Sequence, residues 1–458
     1  MNTNPDDGST RQFQQQPTLF VLPERETPPP GDDLAGREPR LRTPDRQQVI
    51  CLPHALDDLL PDGHEARILW AYVTKLDVTP LYTGLRSVEG HAGRDIADRR
   101  VYLALWLYAT LRGVGAAREL ERLCQRHVDY QWICGGVPVN YHTLADFRTQ
   151  HGNFLDRLLT ESVATLMHEG LVELHRVAHD GLRVRASAGA GSYRRRESLQ
   201  KCLAEAKEQV QRLREELDAD PGAGSKRQRA ARERAARERL ERIQKAVDKL
   251  PELEERRHGE ENRAKTRVST TDAEAPVMKM GDGGFRPAYN VQLSAETATQ
   301  IVTGVDVVDT GGDYGQLPAA VEQHAERYEK VPDEMLVDGG FAKKEDIEQV
   351  SPPQGGTTVY APVQKSKKDD RDRHTPRPGD SPAVAEWRVR MGTEEAKAIY
   401  KERASTIECV NALARNRGLQ QFRVRGRLKV RAVVLWYALV HNVMRAVTLR
   451  AAAAVGVG

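Results

Sequence analysis

Cysteine is scarce in this chain: Cys51, Cys124, Cys134, Cys202 and Cys409 are odd in number and show no C-x-x-C spacing. That argues against a zinc knuckle or a disulfide framework and makes a reducing cytosol the expected compartment. An excess of one charge is also lacking, since charged residues make up 29% of the chain but the net charge is only +3. The chain is not uniformly basic, and any nucleic-acid surface has to come from local clustering. Met1 to Pro30 is polar and rich in Gln, Pro and Asp, so no secretory signal is expected. Long uninterrupted apolar runs are missing too. The most apolar stretch, Val430 to Leu449, is broken by Arg431, His441, Asn442 and Arg445. It reads as a buried helix rather than a membrane span, and no membrane partner is expected.

A length of 458 residues suggests about three domains. Residues 1–45, with Gln14 to Gln16 and Pro28-Pro29-Pro30, read as a disordered tail. Residues 46–170 carry helical signals and form an expected N-terminal helical domain. Within it Thr143-Leu-Ala-Asp146 resembles a capping box, and a helix from about Phe154 stops at Gly170. Between 197 and 258, Leu199, Leu203, Ala206, Val210, Leu213 and Leu217 step by four and three. Ala236, Leu240, Ile243, Val247 and Leu250 repeat the step up to Pro251. Two such arms joined by a Pro-Gly turn make an antiparallel coiled-coil hairpin about 30 Å long, inserted into the rest. A sheet-containing core is expected over 171–196 and 259–450, with a tail at 451–458.

The chemistry centres on Val172 to Ala186. Leu182, Val184 and Ala186 alternate with Arg183 and Arg185, the period of a half-buried strand. Val172 to Ala178 reads as a preceding strand, with Asp180-Gly181 at or just before the hairpin turn between them. Asp-Gly alone is a common turn. A second strand, Glu334-Met-Leu-Val-Asp338-Gly-Gly, ends in the same way, and the β pattern also returns at Ala288 to Ser294 and Thr299 to Val308. Strand-end carboxylates at Asp180 and Asp338 would lie side by side if their strands pair. Converging carboxylates repel and raise one another's pKa unless a cation neutralises them. Oxygen ligands favour Mg²⁺ or Mn²⁺ over zinc, and two such ions could serve phosphodiester chemistry.

Thr393-Glu-Glu-Ala begins a helix expected to run to about Arg417. At about 100° per residue, Tyr400, Arg403, Glu408, Asn411 and Arg415 fall within an arc of about 140° on it. Glu402 and Glu395 are rivals to Glu408 as a third carboxylate. The segment carrying Arg415, Arg417, Arg423, Arg425 and Arg431 contains no acidic residue, a footprint for a polyanion. Arg118, Arg122 and Arg126 recur every fourth residue and offer either a phosphate-facing stripe or a solvated helix face. His179 reads as a satisfied structural histidine, and Trp387 as a packing residue.

Several motifs in order then resemble DDE transposases of bacterial insertion sequences. They are Arg118-Glu-Leu-Glu-Arg-Leu, Gly135-Gly-Val-Pro-Val-Asn-Tyr-His-Thr-Leu-Ala-Asp-Phe-Arg148, Asp180-Gly-Leu-Arg-Val-Arg-Ala-Ser, Asp282-Gly-Gly-Phe-Arg-Pro-Ala-Tyr-Asn-Val-Gln292 and Val337-Asp-Gly-Gly-Phe341. The resemblance implies an α/β fold with an RNase H-like mixed sheet flanked by helices. It implies Asp180, Asp338 and Glu408 as catalytic and metal-binding residues, holding two Mg²⁺ or Mn²⁺ ions. Implied partners are the element's terminal inverted repeats and target DNA, bound as double-stranded DNA by a homodimer. The implied location is the cytoplasm of a bacterium, at the nucleoid. Some relatives carry a Tyr-Arg-Glu-Lys signature to which Tyr400, Arg403, Glu408 and Arg415 are similar. Two departures stand out: four residues rather than three separate Arg403 from Glu408, and Arg415 stands where Lys is expected. A hairpin DNA intermediate is therefore left open. So are two other readings, a nuclease that cuts without joining and a non-catalytic DNA-binding descendant.

Overall fold

The computed structural model describes residues 55–83, 96–219, 225–352, 355–365 and 371–456. The expected N-terminal tail and the 220–224 turn lie outside them. From Glu65 to His168 the chain is helical: α1 (Glu65–Thr74), α2 (Arg99–Leu111), α3 (Ala117–Arg126), α4 (Val128–Cys134), α5 (Tyr141–Gln150) and α6 (Gly152–His168). The α5 cap is Asn140, whose Oδ1 accepts from the Thr143 backbone at 2.9 Å, so the helix starts before the Thr143-to-Asp146 box expected from sequence. Gly170 stops the segment at φ +71°, a conformation that favours glycine.

The sheet begins with β1 (Arg176–Arg185), followed by the short β2 (Tyr193–Arg194). Helices α7 (Arg196–Ala219) and α8 (Lys226–Glu255) come next, then α9 (Glu260–Ala264), β3 (Val268–Ser269) and β4 (Val277–Lys279). The long β5 (Phe285–Glu296), β6 (Val302–Val308), α10 (Gln316–Tyr328), β7 (Glu334–Leu336), α11 (Lys344–Val350) and β8 (Thr358–Tyr360) complete the sheet region. Strand order is β4-β5-β1-β7-β8, with β6 on β5 as well. β5 runs antiparallel to β1 and β6, whereas β1, β7 and β8 are mutually parallel. The sheet is mixed and the fold is α/β.

Asp180-Gly181 is not a turn. β1 runs straight through it, pairing Asp180 with Leu293 and Gly181 with Gln292 on β5. Glycine is there because the space above it is filled. A methyl group at Gly181 would lie 2.5 Å from Asp313 Oδ1, 2.7 Å from Asn290 Oδ1 and 2.9 Å from Gln292 Nε2. The Asp-Gly pair marks a crowded strand interior, and Val172 to His175 approaches it without strand pairing.

Helices α7 and α8 run antiparallel, joined by Arg196–Glu254 near one end and Arg232–Glu216 near the other. Leu199, Ala206, Ile243, Ala246 and Leu250 form one apolar cluster between them, and Val210, Leu213 and Ala236 a second. α8 continues through Pro251 rather than stopping there.

After β8 come α12 (Pro382–Gly392), α13 (Glu394–Arg403), a π turn at Ala404–Glu408, α14 (Cys409–Asn416) and α15 (Arg427–Gly456). The described part of the loop before α12 is pinned by Asp380, which accepts from Arg388 Nε at 2.7 Å and Lys344 Nζ at 2.6 Å. α15 is long and apolar enough to cross a membrane by composition, but 72% of its apolar window is buried inside the protein. Its Trp436 Nε1 donates to the Arg148 carbonyl at 2.9 Å. Asn442 grips β6, donating to the Val302 carbonyl at 2.7 Å and accepting from its amide at 2.8 Å. One apolar core thus joins the N-terminal helices, the sheet and the last helix.

The packing over β1 makes Gly181→Ala a sharp test. We expect it to cost about 1–3 kcal/mol, the usual range for overpacking, read as a lower denaturant midpoint. An unchanged midpoint would show that the side chains over Gly181 move aside freely.

Candidate active site

β1 and β7 bring two of the expected carboxylates to one level. Their parallel register pairs Ala178 with Leu336, and Asp180 and Asp338 each lie two residues further on. Asp180 is therefore inside its strand, while Asp338 lies just past the end of its own. Asp338 is fixed by its own turn, its Oδ1 accepting from the Gly340 amide at 2.7 Å.

The third expected carboxylate arrives on the C-terminal helices through one guanidinium. Arg403 places Nη2 2.8 Å from Asp180 Oδ1 and donates from Nη1 to Glu408 Oε1 at 2.9 Å. Asn411 donates from Nδ2 to Asp180 Oδ2 at 3.0 Å. Burial pushes the Asp180 carboxyl up to about 6. The Arg403 guanidinium opposes this rise, and the Asp338 and Asp313 carboxylates add to it. Burial opposes the charge on Arg403, but Asp180, followed by Tyr400, Asp338 and Glu408, holds its pKa above the usual arginine value. Burial likewise raises the Tyr400 phenol, with Asp338, Glu408 and Asp180 adding to the rise. Tyr400, Arg403, Glu408 and the two aspartates form one electrostatic neighbourhood.

The π turn explains the extra residue between Arg403 and Glu408. A π turn hydrogen-bonds from i to i+5 and inserts one residue into a helix without ending it. Arg403 and Glu408 are five apart and meet across that turn. Of the rivals, Glu402 instead pairs with Arg176 at 2.7 Å, and Glu395 is exposed.

The remaining expected DNA-binding residues are more scattered. Arg118 stacks over the Tyr141 ring at 4.9 Å, while Arg122 is paired with Glu119 at 2.6 Å. Arg415 and Arg423 are exposed, and Arg425 Nε donates to the Ser187 carbonyl at 3.2 Å. Burial holds Arg417 below the usual arginine value. Near Arg423 the buried Arg148 is lowered to about 10 by burial, and Arg423 adds to that fall. His179 is fully buried, its Nδ1 2.8 Å from Ser294 Oγ and its Nε2 2.9 Å from Gln292 Oε1. Burial lowers it to about 3, so it is a neutral structural side chain. Trp387 is buried, and its Nε1 donates to the Ala361 carbonyl.

Sequence reasoning missed Asp313, which sits in a loop without periodicity. It accepts from Asn290 Nδ2 at 2.7 Å and Gln292 Nε2 at 3.2 Å, and Arg183 lies 3.8 Å away. A signal for its partners was present. Asn290, Gln292 and Ser294 put three polar side chains on one face of a strand that is buried on both.

The donors around Asp180 are carboxylate oxygens, the kind Mg²⁺ and Mn²⁺ prefer. Asn411 Oδ1, beside Asp180, is buried and has no hydrogen-bond partner. Among the described residues no three His, Cys, Asp or Glu side chains are grouped as a metal site. Instead the Arg403 guanidinium stands between Asp180 and Glu408. The donor chemistry fits a divalent cation, and a side-chain cation holds the position between two of the acids.

Asp180, Asp338 and Glu408 thus lie in one neighbourhood at a mixed sheet. Residues 363–447 match a family model described as a transposase DDE domain, and residues 54–150 match one described as a transposase domain. Together they support a DDE transposase of insertion-sequence type. The first match contains Tyr400, Arg403 and Glu408, and neither match reaches Asp180, Asp313 or Asp338. No curated protein and no solved structure matches the chain.

The raised Asp180 carboxyl gives a pH prediction with a definite sign. Its protonated fraction grows as pH falls through about 6, and a protonated carboxyl is a poor partner for a cation. Mn²⁺ affinity should therefore fall by up to about tenfold per pH unit below that point, as read by titration of the full chain. An affinity unchanged from neutral pH to about pH 5 would remove Asp180 from cation binding.

Proposed function

We propose that this chain binds the ends of an insertion sequence, cleaves them by Mg²⁺-dependent phosphodiester hydrolysis and joins the freed 3′ ends to target DNA. The observation that carries the reading is the meeting of Asp180 and Glu408 on one guanidinium, with Asp338 level with Asp180 on the neighbouring strand. These residues come from three distant stretches of chain. The transposase-domain matches at both ends of the described chain support the same reading. The antiparallel β6-β5-β1 followed by parallel β7 and β8 supports an RNase H-like core.

In this reading Asp180, Asp338 and Glu408 would hold two Mg²⁺ or Mn²⁺ ions. Such ions would supply activation of the attacking oxygen and neutralisation of the leaving one. In the first reaction water attacks phosphorus at the element end, the P–O3′ bond breaks and the departing O3′ takes up a proton. The new 3′-hydroxyl then attacks a target phosphodiester and displaces its O3′ in turn. Asn411 orients Asp180 through the Oδ2 hydrogen bond. Arg403 keeps Asp180 and Glu408 together in the cation-free protein, and once released it suits a DNA phosphate, as guanidiniums do. Tyr400 beside it offers a ring for stacking on a displaced base. Arg415 and Arg423 are exposed, and Arg417 is half-buried, where burial makes it costly to keep charged without an anion. A DNA backbone supplies that anion.

The hairpin of α7 and α8 is tied to the end of β6, where Lys249 and Arg256 each lie 3.3 Å from Asp309. Pairing of two element ends calls for a homodimer when the complex is assembled on DNA. A bacterial cytoplasm, at the nucleoid, is the setting in which both DNA partners occur.

The test is cleavage of a DNA fragment carrying the element's own ends, with Mg²⁺ and with EDTA, by the wild type and by Asp338→Asn. Nicking should require Mg²⁺ and vanish in Asp338→Asn, while end binding survives in both. Normal nicking by the variant removes Asp338 from the mechanism. Strand transfer from a pre-cleaved 3′ end is expected as well. Cutting without transfer would favour a nuclease, and metal-independent binding without nicking would favour a non-catalytic protein.

A further inference from the structure

The Gly113-Val114-Gly115 loop between α2 and α3 meets the arginine-rich segment after α14. A methyl group at Gly113 would lie 3.5 Å from the Arg417 carbonyl oxygen, and one at Gly418 would lie 3.4 Å from that of Gly113. Two guanidiniums converge beside this contact. A methyl group at Gly115 would lie 3.7 Å from Arg423 Nε, 3.8 Å from Arg148 Nη2 and 3.9 Å from Arg148 Nη1. Arg423 is exposed, whereas Arg148, on α5, is only 6% exposed.

Arg148 is buried without the charge that burial calls for. Its Nη1 donates to the Gly115 carbonyl at 2.5 Å, and its guanidinium lies 4.7 Å from the centre of the Trp106 ring. Its Nε is buried with no hydrogen-bond partner. The ionisable groups that act on it are Tyr437, whose phenol burial keeps neutral, and Arg423, a second cation. Neither arginine has a carboxylate partner among the described residues. A carbonyl and a ring face offset only part of the penalty of a buried guanidinium, and a neighbouring cation adds to it. An anion between the two would relieve both.

The backbone here suits an anion as well. Helix α3 begins at Ala117, and its N-cap, Ala116, offers no side-chain acceptor to the free amides of the first turn. Helix ends of this kind attract negative charge. The acid in that turn, Glu119, is already held by Arg122 through both oxygens, at 3.1 and 2.6 Å. Gly115 does not need to be glycine for its own conformation, and a methyl group there would meet only ordinary contacts. Its missing side chain leaves the approach between the two guanidiniums clear.

We propose that Arg148, Arg423 and the first amides of α3 form a seat for one backbone phosphate of DNA, built jointly by the N-terminal helices and the C-terminal arginine segment. This rests on the DNA-binding part of the function proposed above and shares no residue with the carboxylate site. An Arg148 that served packing alone would hold α5 to the loop before α3 through the Gly115 carbonyl, and neither Arg423 nor the space over Gly115 would matter to it.

The experiment measures the affinity of the full-length chain for a short random-sequence DNA duplex across a range of salt concentrations. Melting of each protein is the folding control, and melting with added inorganic phosphate is a second arm. Arg148→Gln is the direct variant. Arg423→Gln changes an exposed side chain and Gly115→Ala makes no close contact, so both should melt as the wild type does. We expect each variant to weaken duplex binding by about tenfold, the worth of a charged hydrogen bond. The slope of log affinity against log salt should fall by about one, the signature of a single lost phosphate contact. Wild-type affinity and slope in folded Arg423→Gln and Gly115→Ala overturn the inference. Stabilisation by inorganic phosphate that the variants lose, with duplex binding unchanged, overturns it too, because the seat then takes a free anion and not DNA. A chain that shows the expected losses but does not nick element ends with Mg²⁺ keeps this inference and overturns the proposed catalysis. A wild type without salt-dependent duplex binding overturns both.

Discussion

The contact between Arg403 and the two acids Asp180 and Glu408 is the constraint on which the site depends. Asp180 is inside a buried strand, where an ionised carboxylate is unfavourable without a partner. Glu408 ends the π turn that packs against β1 and β5, and its own side chain is half exposed. One guanidinium satisfies both, and in doing so it docks the C-terminal helices on β1. The same contact explains why the helix carries a π turn. A regular α-helix would rotate Glu408 away from Arg403, and a turn closing over five residues restores the pairing. The architecture tolerates a locally weaker helix because the ion pair needs it.

A second constraint comes from the opposite face of β1. His179, Gly181 and Arg183 meet Ser294, Gln292 and Asn290 in register, so a polar layer runs through a buried sheet. Its hydrogen bonds run from Ser294 through His179 and Gln292 to Asp313, while the buried Asn290 Oδ1 has no partner. This layer reaches the site at Asp313. The carboxylates of the site are thus supported from both faces, by α13 and α14 on one and by the loop before α10 on the other. A buried polar network of this kind holds its members in one arrangement.

Much of this was legible in the amino-acid sequence, and the failures have physical causes. Asp338 was readable because strand, carboxylate and two glycines followed one another before a helix. Tyr400, Arg403, Glu408 and Asn411 were readable as one helix face, because that arithmetic tolerates one inserted residue. Asp180-Gly181 misled because the pair is a strong turn signal. Its glycine answers instead to Asp313, far along the chain, and local propensity carries no record of a distant neighbour. Asp313 was invisible for the same reason, as a loop residue has no period to betray its direction. Helix α12 followed a Pro-rich loop and carried little amphipathic pattern. Its place is set by Trp387 and by Arg388 on Asp380. The arginines after α14 showed their charge in sequence, but which of them are buried depended on how α15 packs beneath.

The central claim is that these acids require positive charge between them, supplied by Arg403 until a divalent ion is bound. Anomalous scattering from a crystal of the full chain grown with Mn²⁺ tests it directly. The account predicts a peak bounded by the Asp180 and Asp338 oxygens, with the Arg403 guanidinium drawn off Asp180. Saturating Mn²⁺ with no peak there, and with Arg403 still joining Asp180 to Glu408, would contradict it.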